Sequence, residues 1–136
     1  MYRNILVPVD LTHEEVANRI LTLAKRLSAS GARVTVIHVL PDIPSYVDTY
    51  VPHDVREARA KEQREILERM VAAAGLKADV RIAYGPPHNR ILDVLDEVAP
   101  DLVIIGSHRP GLSDYFLGST AARVVRHAQC SVLVDR

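Results

Sequence analysis

The chain has 136 residues, with seventeen basic and seventeen acidic side chains, one Cys, one Phe and no Trp. That length suits one domain over residues 1–136, able to bury about two thirds of the surface its unfolded chain exposes. The balanced charge argues against nucleic acid and membrane as partners, the shortage of aromatics argues against a base-stacking platform, and the lone Cys130 cannot close an internal disulfide.

The amino end enters a strand-like run directly, so no signal peptide is expected. No apolar run approaches the roughly 20 residues of a spanning helix, and the expected location is the cytoplasm.

Asn4 to Asp10 reads as the first strand. Its run Ile5-Leu6-Val7-Pro8-Val9 is continuously apolar, as in a parallel sheet covered on both faces. Pro8 brings no N–H and belongs near the strand end. Thr12-His13-Glu14-Glu15 has capping-box spacing, with Thr12 as N-cap, and predicts a helix to about Ser28. Val16, Ile20, Leu23, Ala24 and Leu27 give that helix one apolar face. Ser28 to Gly31 ends it.

Arg33 to Leu40 reads as the second strand. Pro41 and Pro44 then open the longest irregular segment, which carries Tyr46 and Tyr50 and has the length of a functional flap. A charged helix from Asp54 follows, with Val55, Ala58, Ile66, Leu67, Met70, Val71 and Ala74 as its apolar positions and Gly75 as C-cap. Ala78 to Tyr84 alternates like an edge strand. Pro87 suits the first turn of a third helix to Val98. Leu102 to Ile105 is a fourth, buried strand, Ala121 to Ala128 a fourth helix, and Ser131 to Val134 a last strand.

Five strands alternating with four helices predict an α/β fold: a single doubly wound five-stranded parallel sheet, right-handed crossovers, and helices on both faces. With strand order 3-2-1-4-5 the order reverses between strands one and four, and ligands bind such sheets outside the carboxyl ends at that reversal. Strand one ends at Asp10 and strand four at Gly106. Asp10 has two readings, solvating the start of the first helix or facing a ligand hydroxyl or metal.

The connection from Gly106 to Thr120 suits an anion. Glycines stand at both ends, Arg109 lies inside, and Ser119 and Thr120 open a helix whose free N–H groups attract negative charge. His108 is a second donor candidate, with no carboxylate or nucleophile spaced to orient it. His38 lies in an apolar strand and reads as a satisfied core histidine. His13, His53, His88 and His127 are scattered singly, without metal-ligand spacing. The sequence has no G-x-x-x-x-G-K-[ST], no G-x-G-x-x-G after strand one and no G-x-S-x-G.

Over its whole length the chain resembles the universal stress protein family. The resemblance is carried by Ile5-Leu6-Val7-Pro8-Val9-Asp10, His38-Val39-Leu40, Val103-Ile104-Ile105-Gly106-Ser107-His108, Leu117-Gly118-Ser119 and Ser131-Val132-Leu133-Val134. Nucleotide-binding members carry G-x2-G-x9-G-[ST]. Here Arg109 stands at the second glycine and Gly118 comes one residue early. The run Ser107-His108-Arg109-Pro110, with Tyr115 to Ser119 and Val124 to Ala128, looks like the F/G-type bacterial subgroup.

The resemblance implies a Rossmann-like universal stress protein fold and adenine-nucleotide binding, ATP or AMP with or without Mg²⁺, in a stress-response sensor or regulator. It implies that Pro8, Val9 and Asp10 lie beside adenine and ribose, and that Val39 offers backbone contacts to adenine. Ile105 and Gly106 would border ribose and phosphates, and Gly118, Ser119 and Thr120 would hold the phosphates. Arg109, beside His108, would stand in for the lost glycine approach. The resemblance also implies a homodimer through Val132, Leu133 and Val134, and an apolar edge strand independently favours a partner there. A second reading is a slow ATPase or self-phosphorylating protein, with Asp10 orienting Mg²⁺ or water and Ser119, Thr120 or His108 as acceptor. A third is a dimeric interaction module in which Arg109 fills the pocket.

Overall fold

The computed structural model describes residues 1–42, 52–107 and 117–136. In chain order they form β1 (Tyr2–Val9), α1 (Glu14–Leu27), β2 (Ser28–Leu40), α2 (His53–Ala73), β3 (Asp79–Tyr84), α3 (Pro87–Val98), β4 (Leu102–Gly106), α4 (Ser119–His127) and β5 (Ser131–Asp135). The five strands make one parallel sheet in the order β3-β2-β1-β4-β5.

The apolar runs place β1 and β4 at the centre. Ile5, Leu6, Val7, Val103 and Ile104 have no accessible surface. Each such side chain contributes roughly 1.5–3 kcal/mol by leaving water. Strand alternation divides them between two cores. Val7, Val36 and Ile104 pack under α1 and α2, against Ile20, Leu21 and Leu67. Leu6, Ile37, Val103 and Ile105 pack under α3 and α4, against Ile91, Leu95 and Val124.

The two central strands are pinned at their amino ends. The Asp101 carboxylate accepts hydrogen bonds from the N–H groups of Arg3 (2.9 Å) and Asn4 (3.0 Å), and the Asn4 amide donates to the Val98 carbonyl (2.7 Å). Pairing between β1 and β4 covers Ile5 with Leu102 and Leu6 with Val103, whereas β1 stays paired with β2 as far as Val9 and His38. Pro8, with no N–H to offer, lies in the stretch where β1 has left β4. The sheet therefore parts at its carboxyl edge, where the strand order reverses.

Several local expectations shift. β1 stops at Val9, so Asp10 lies just beyond the strand. The Thr12 capping box does not form: α1 begins at Glu14 with His13 as N-cap and no side-chain cap. Thr12 instead donates both its N–H (2.9 Å) and its hydroxyl (2.6 Å) to the Asp10 carboxylate two residues back, a local turn that competes with the cap. Ser28 ends α1 as expected, but the strand expected from Arg33 already begins there, and Ser28 to Gly31 form a bulge inside β2. Tyr2 faces Ser28 but Asn4 faces Arg33, and Gly31 takes φ +75° to accommodate the extra residues.

The expected inward face of α2 also stops short. Leu67 and Val71 are buried, but Val55 is 52% exposed. Twenty-one helical residues span about 31 Å, whereas the six residues of β3 span roughly 20 Å. The amino-terminal turns of α2 thus extend to the carboxyl edge of the sheet. Three contacts hold its position. Tyr84 Oη donates to the Arg56 carbonyl (2.9 Å), the Arg56 guanidinium lies over the Tyr84 ring (5.0 Å), and Arg64 donates to the Val80 carbonyl (2.5 Å).

Candidate functional site

Where β1 and β4 part, a cleft of about 570 Å³ opens along the carboxyl edge of the sheet. Pro8, Val9 and Asp10 form its floor, Val39 one side, and Ile105, Gly106, Gly118, Ser119 and Thr120 the other. Nine of the residues singled out from the sequence thus share one cavity. His108 and Arg109 lie outside the described residues, as do Tyr46 and Tyr50.

Asp10 sits at the turn into α1 with part of its carboxylate engaged and part open to the cleft. One carboxylate oxygen takes both donors of Thr12 and shapes the turn into α1, while the other lies 4.0 Å from His13 Nε2. Its side chain is 59% exposed at the cleft floor, so it retains acceptor capacity for a hydroxyl ligand.

The two glycines differ in kind. A Cβ on Gly106 would come within 2.8 Å of Val16 Cγ1. Gly106 is therefore required by the packing of α1 on β4. A Cβ on Gly118 would meet only the Ser107 carbonyl at 3.7 Å, an ordinary contact, and its φ of −60° suits any residue. Gly118, rather than Ser119 or Thr120, is the N-cap of α4, and the two hydroxyl residues occupy the first helical turn. With no side chain at the cap, the N–H groups of Ser119, Thr120 and Ala121 have no hydrogen-bond acceptor among the described residues.

Those amides carry roughly half a positive charge at the helix end. No acidic residue sits in the first turn of α4, whereas Glu14 and Glu15 fill that of α1. Of the helix starts lining the cleft, that of α1 is offset by its two glutamates and that of α3 opens on Pro87, which has no N–H, whereas α4 offers an anion uncompensated positive potential.

The cleft also takes in residues that sequence reasoning left out. Pro87 and Ile91 of α3 add an apolar wall on the α3/α4 side. Val16, Ala17 and Ile20 of α1, Leu40, His38, and Arg59 and Gln63 of α2 line the opposite side. His38 alternates with Ile37 and Val39, so its ring points toward α1 and α2. It is 5% exposed. In the neutral ring Nδ1 accepts the Leu11 N–H (3.3 Å), which leaves the proton on Nε2; a protonated Nδ1 would instead face the Val9 carbonyl at 3.2 Å. Burial holds its pKa below the ordinary 6.5, partly offset by the Val9 carbonyl and the Asp10 charge, with the Arg59 charge adding to the lowering. Arg59 and Gln63 stand one turn apart on α2. That i, i+4 spacing was the one sequence signal available for them, and it is common on any charged helix.

Behind the cleft, Ser107 donates its N–H to the Asp135 carbonyl (2.9 Å), and Asp135 Oδ2 holds Arg19 Nε at 2.6 Å. These contacts tie the end of β5 to β4 and α1, fixing the start of the connection to α4. Among the described residues, no helix is long and apolar enough to cross a membrane.

Comparison with known proteins agrees with this geometry. Residues 1–136 match the model of the universal stress protein family. Universal stress protein G of Escherichia coli O157:H7 is 31% identical over 144 aligned positions, covering 100% of both chains. The solved universal stress protein UspA from Lactobacillus plantarum superposes with a TM-score of 0.69 at 28% identity, covering 99% of this chain and 98% of that one. A universal stress protein from Archaeoglobus fulgidus, solved in complex with dAMP, shares the fold with a TM-score of 0.65 at 24% identity, covering 99% of this chain and 98% of that one. With a family model matched from end to end and the five-stranded sheet built in the expected order, the chain belongs to the universal stress protein family.

Proposed function

We propose that the cleft binds an adenine nucleotide, ATP or AMP, and that the protein acts as a nucleotide-responsive regulator in the stress response. The observation that carries this reading is the exposed Asp10 carboxylate in the same cleft as the uncapped start of α4. The α4 amides and the hydroxyls of Ser119 and Thr120 take the phosphate, and Asp10 accepts from ribose hydroxyls. The base lies against Val39 and the apolar residues Pro87 and Ile91. The complex of an Archaeoglobus fulgidus relative with dAMP supports the ligand class, and the regulatory role rests on the family.

Calorimetric titration with ATP, with and without Mg²⁺, and with AMP tests the reading. A saturable one-to-one isotherm is expected, weakened about tenfold by Asp10→Ala through loss of a charged acceptor. Absence of heat up to millimolar nucleotide would refute it.

We further propose that two copies pair through β5. That strand is an edge of the sheet, and its Val132, Leu133 and Val134 are only partly covered within one chain. Sedimentation velocity reads the expected dimer mass; a monomer at high protein concentration would rule the pairing out.

A further inference from the structure

The cleft has a second polar end that the nucleotide reading leaves unused. On the α1/α2 side, Arg59 and Gln63 of α2 line it together with His38, close enough for the Arg59 charge to act on the His38 ring. Arg59 is exposed, and no carboxylate pairs with it among the described residues. Two other arginines of the same helix are engaged: Arg56 lies over Tyr84 and near Asp42, and Arg64 bonds the Val80 carbonyl. Among the described residues lining the cleft, Arg59 is the one permanently charged cation.

The stereochemistry of a nucleotide relates this end to the first. On a ribose ring the base and the 5′-phosphate arm leave from one face, and the 2′- and 3′-hydroxyls leave from the other. If Val39 and the start of α4 hold the base and the 5′-phosphate on the α3/α4 side, the hydroxyl face turns toward α1 and α2. Resting on that placement, we propose that Arg59, supported by Gln63, binds a second phosphate carried on the 2′- or 3′-hydroxyl. The preferred ligand class is then an adenosine bisphosphate. Asp10, with one oxygen already engaged by Thr12, accepts from the hydroxyl that remains free.

Calorimetry on the full chain with AMP, adenosine 2′,5′-bisphosphate and adenosine 3′,5′-bisphosphate tests this. One of the two bisphosphates is expected to bind about tenfold more tightly than AMP, as one charge-assisted contact provides, and which one tells which hydroxyl faces Arg59. Arg59→Met keeps the apolar stem; it should abolish that advantage, leave AMP affinity within about twofold, and leave the melting temperature unchanged, since the side chain is solvated. Arg59→Lys should restore part of the advantage. Raising the salt concentration should erode it. Bisphosphates no tighter than AMP, or an advantage that survives Arg59→Met, would overturn the inference while leaving the nucleotide reading intact. No binding of AMP or of either bisphosphate, together with none of ATP, would overturn both.

Discussion

Gly106 offers the sharpest test of the packing argument. Its Cβ position lies 2.8 Å from Val16 Cγ1, about 0.7 Å inside an ordinary carbon contact of roughly 3.5 Å. Val16 sits on α1, where a β-branched side chain has one strongly preferred rotamer and cannot swing aside cheaply. β4 is held in turn by Leu102 to Ile105, all buried, and by the Ser107 bond to Asp135. Gly106→Ala must therefore shift α1 against β4. Overpacking of this kind costs about 2 kcal/mol. With an unfolding entropy of about 2.1 cal/mol/K per residue, a chain of this length should lose about 7 °C in Tm. Urea unfolding should show a lower midpoint at unchanged slope.

The partner substitution isolates the cause. Val16→Ala removes the offending methyl groups, and alone it should cost about 1 kcal/mol because Val16 is half-buried. In the double variant the clash is gone, so the two effects should be less than additive, with a coupling of about 1 kcal/mol or more. Gly118→Ala is the control. It meets only ordinary contact and should cost less than about 1 kcal/mol, the modest loss from replacing a glycine cap. A Gly106→Ala melting temperature within about 1 °C of wild type, or strict additivity with Val16→Ala, would refute the packing account.

Two further predictions concern acid. The N–H groups of Arg3 and Asn4 hold the Asp101 carboxyl below its ordinary 3.8, so its stabilisation is present above that value and is lost as pH falls through the lower folded value. Asp101→Asn should destabilise the protein by about 1 kcal/mol at pH 7, and the gap in Tm should close below about pH 4. His38 runs the other way. Burial lowers its pKa, so the unfolded chain takes up the proton first, and stability should fall as pH drops below 6.5 until the folded ring also protonates. His38→Gln, which retains an acceptor for the Leu11 N–H, should show a shallower loss of Tm between pH 7 and pH 5; an identical pH profile would remove His38 as the cause.

Element order, the parallel sheet and the place of the crevice were legible in the residues alone. Those features follow from local signals: unbroken apolar runs in β1 and β4, helical spacing between them, and a handedness rule that leaves few topologies. Asp10 and the run Gly118 to Thr120 were legible for the same reason, since both stand at the ends of strongly marked elements. Features that depend on distant partners emerged only from packing. Thr12 looked like a helix cap until the Asp10 carboxylate claimed its hydroxyl. Gly106 looked like a glycine kept for a ligand, but Val16, ninety residues earlier in the chain, is what excludes a side chain there. His38, Arg59 and Gln63 reach the cleft because α2 is longer than the strand it covers and because the register of β2 turns the His38 ring toward it. Residue spacing records which side of an element is apolar. Which polar residues share a cavity is set by how far one element projects past another, and that emerges only when the sheet and its helices are packed together.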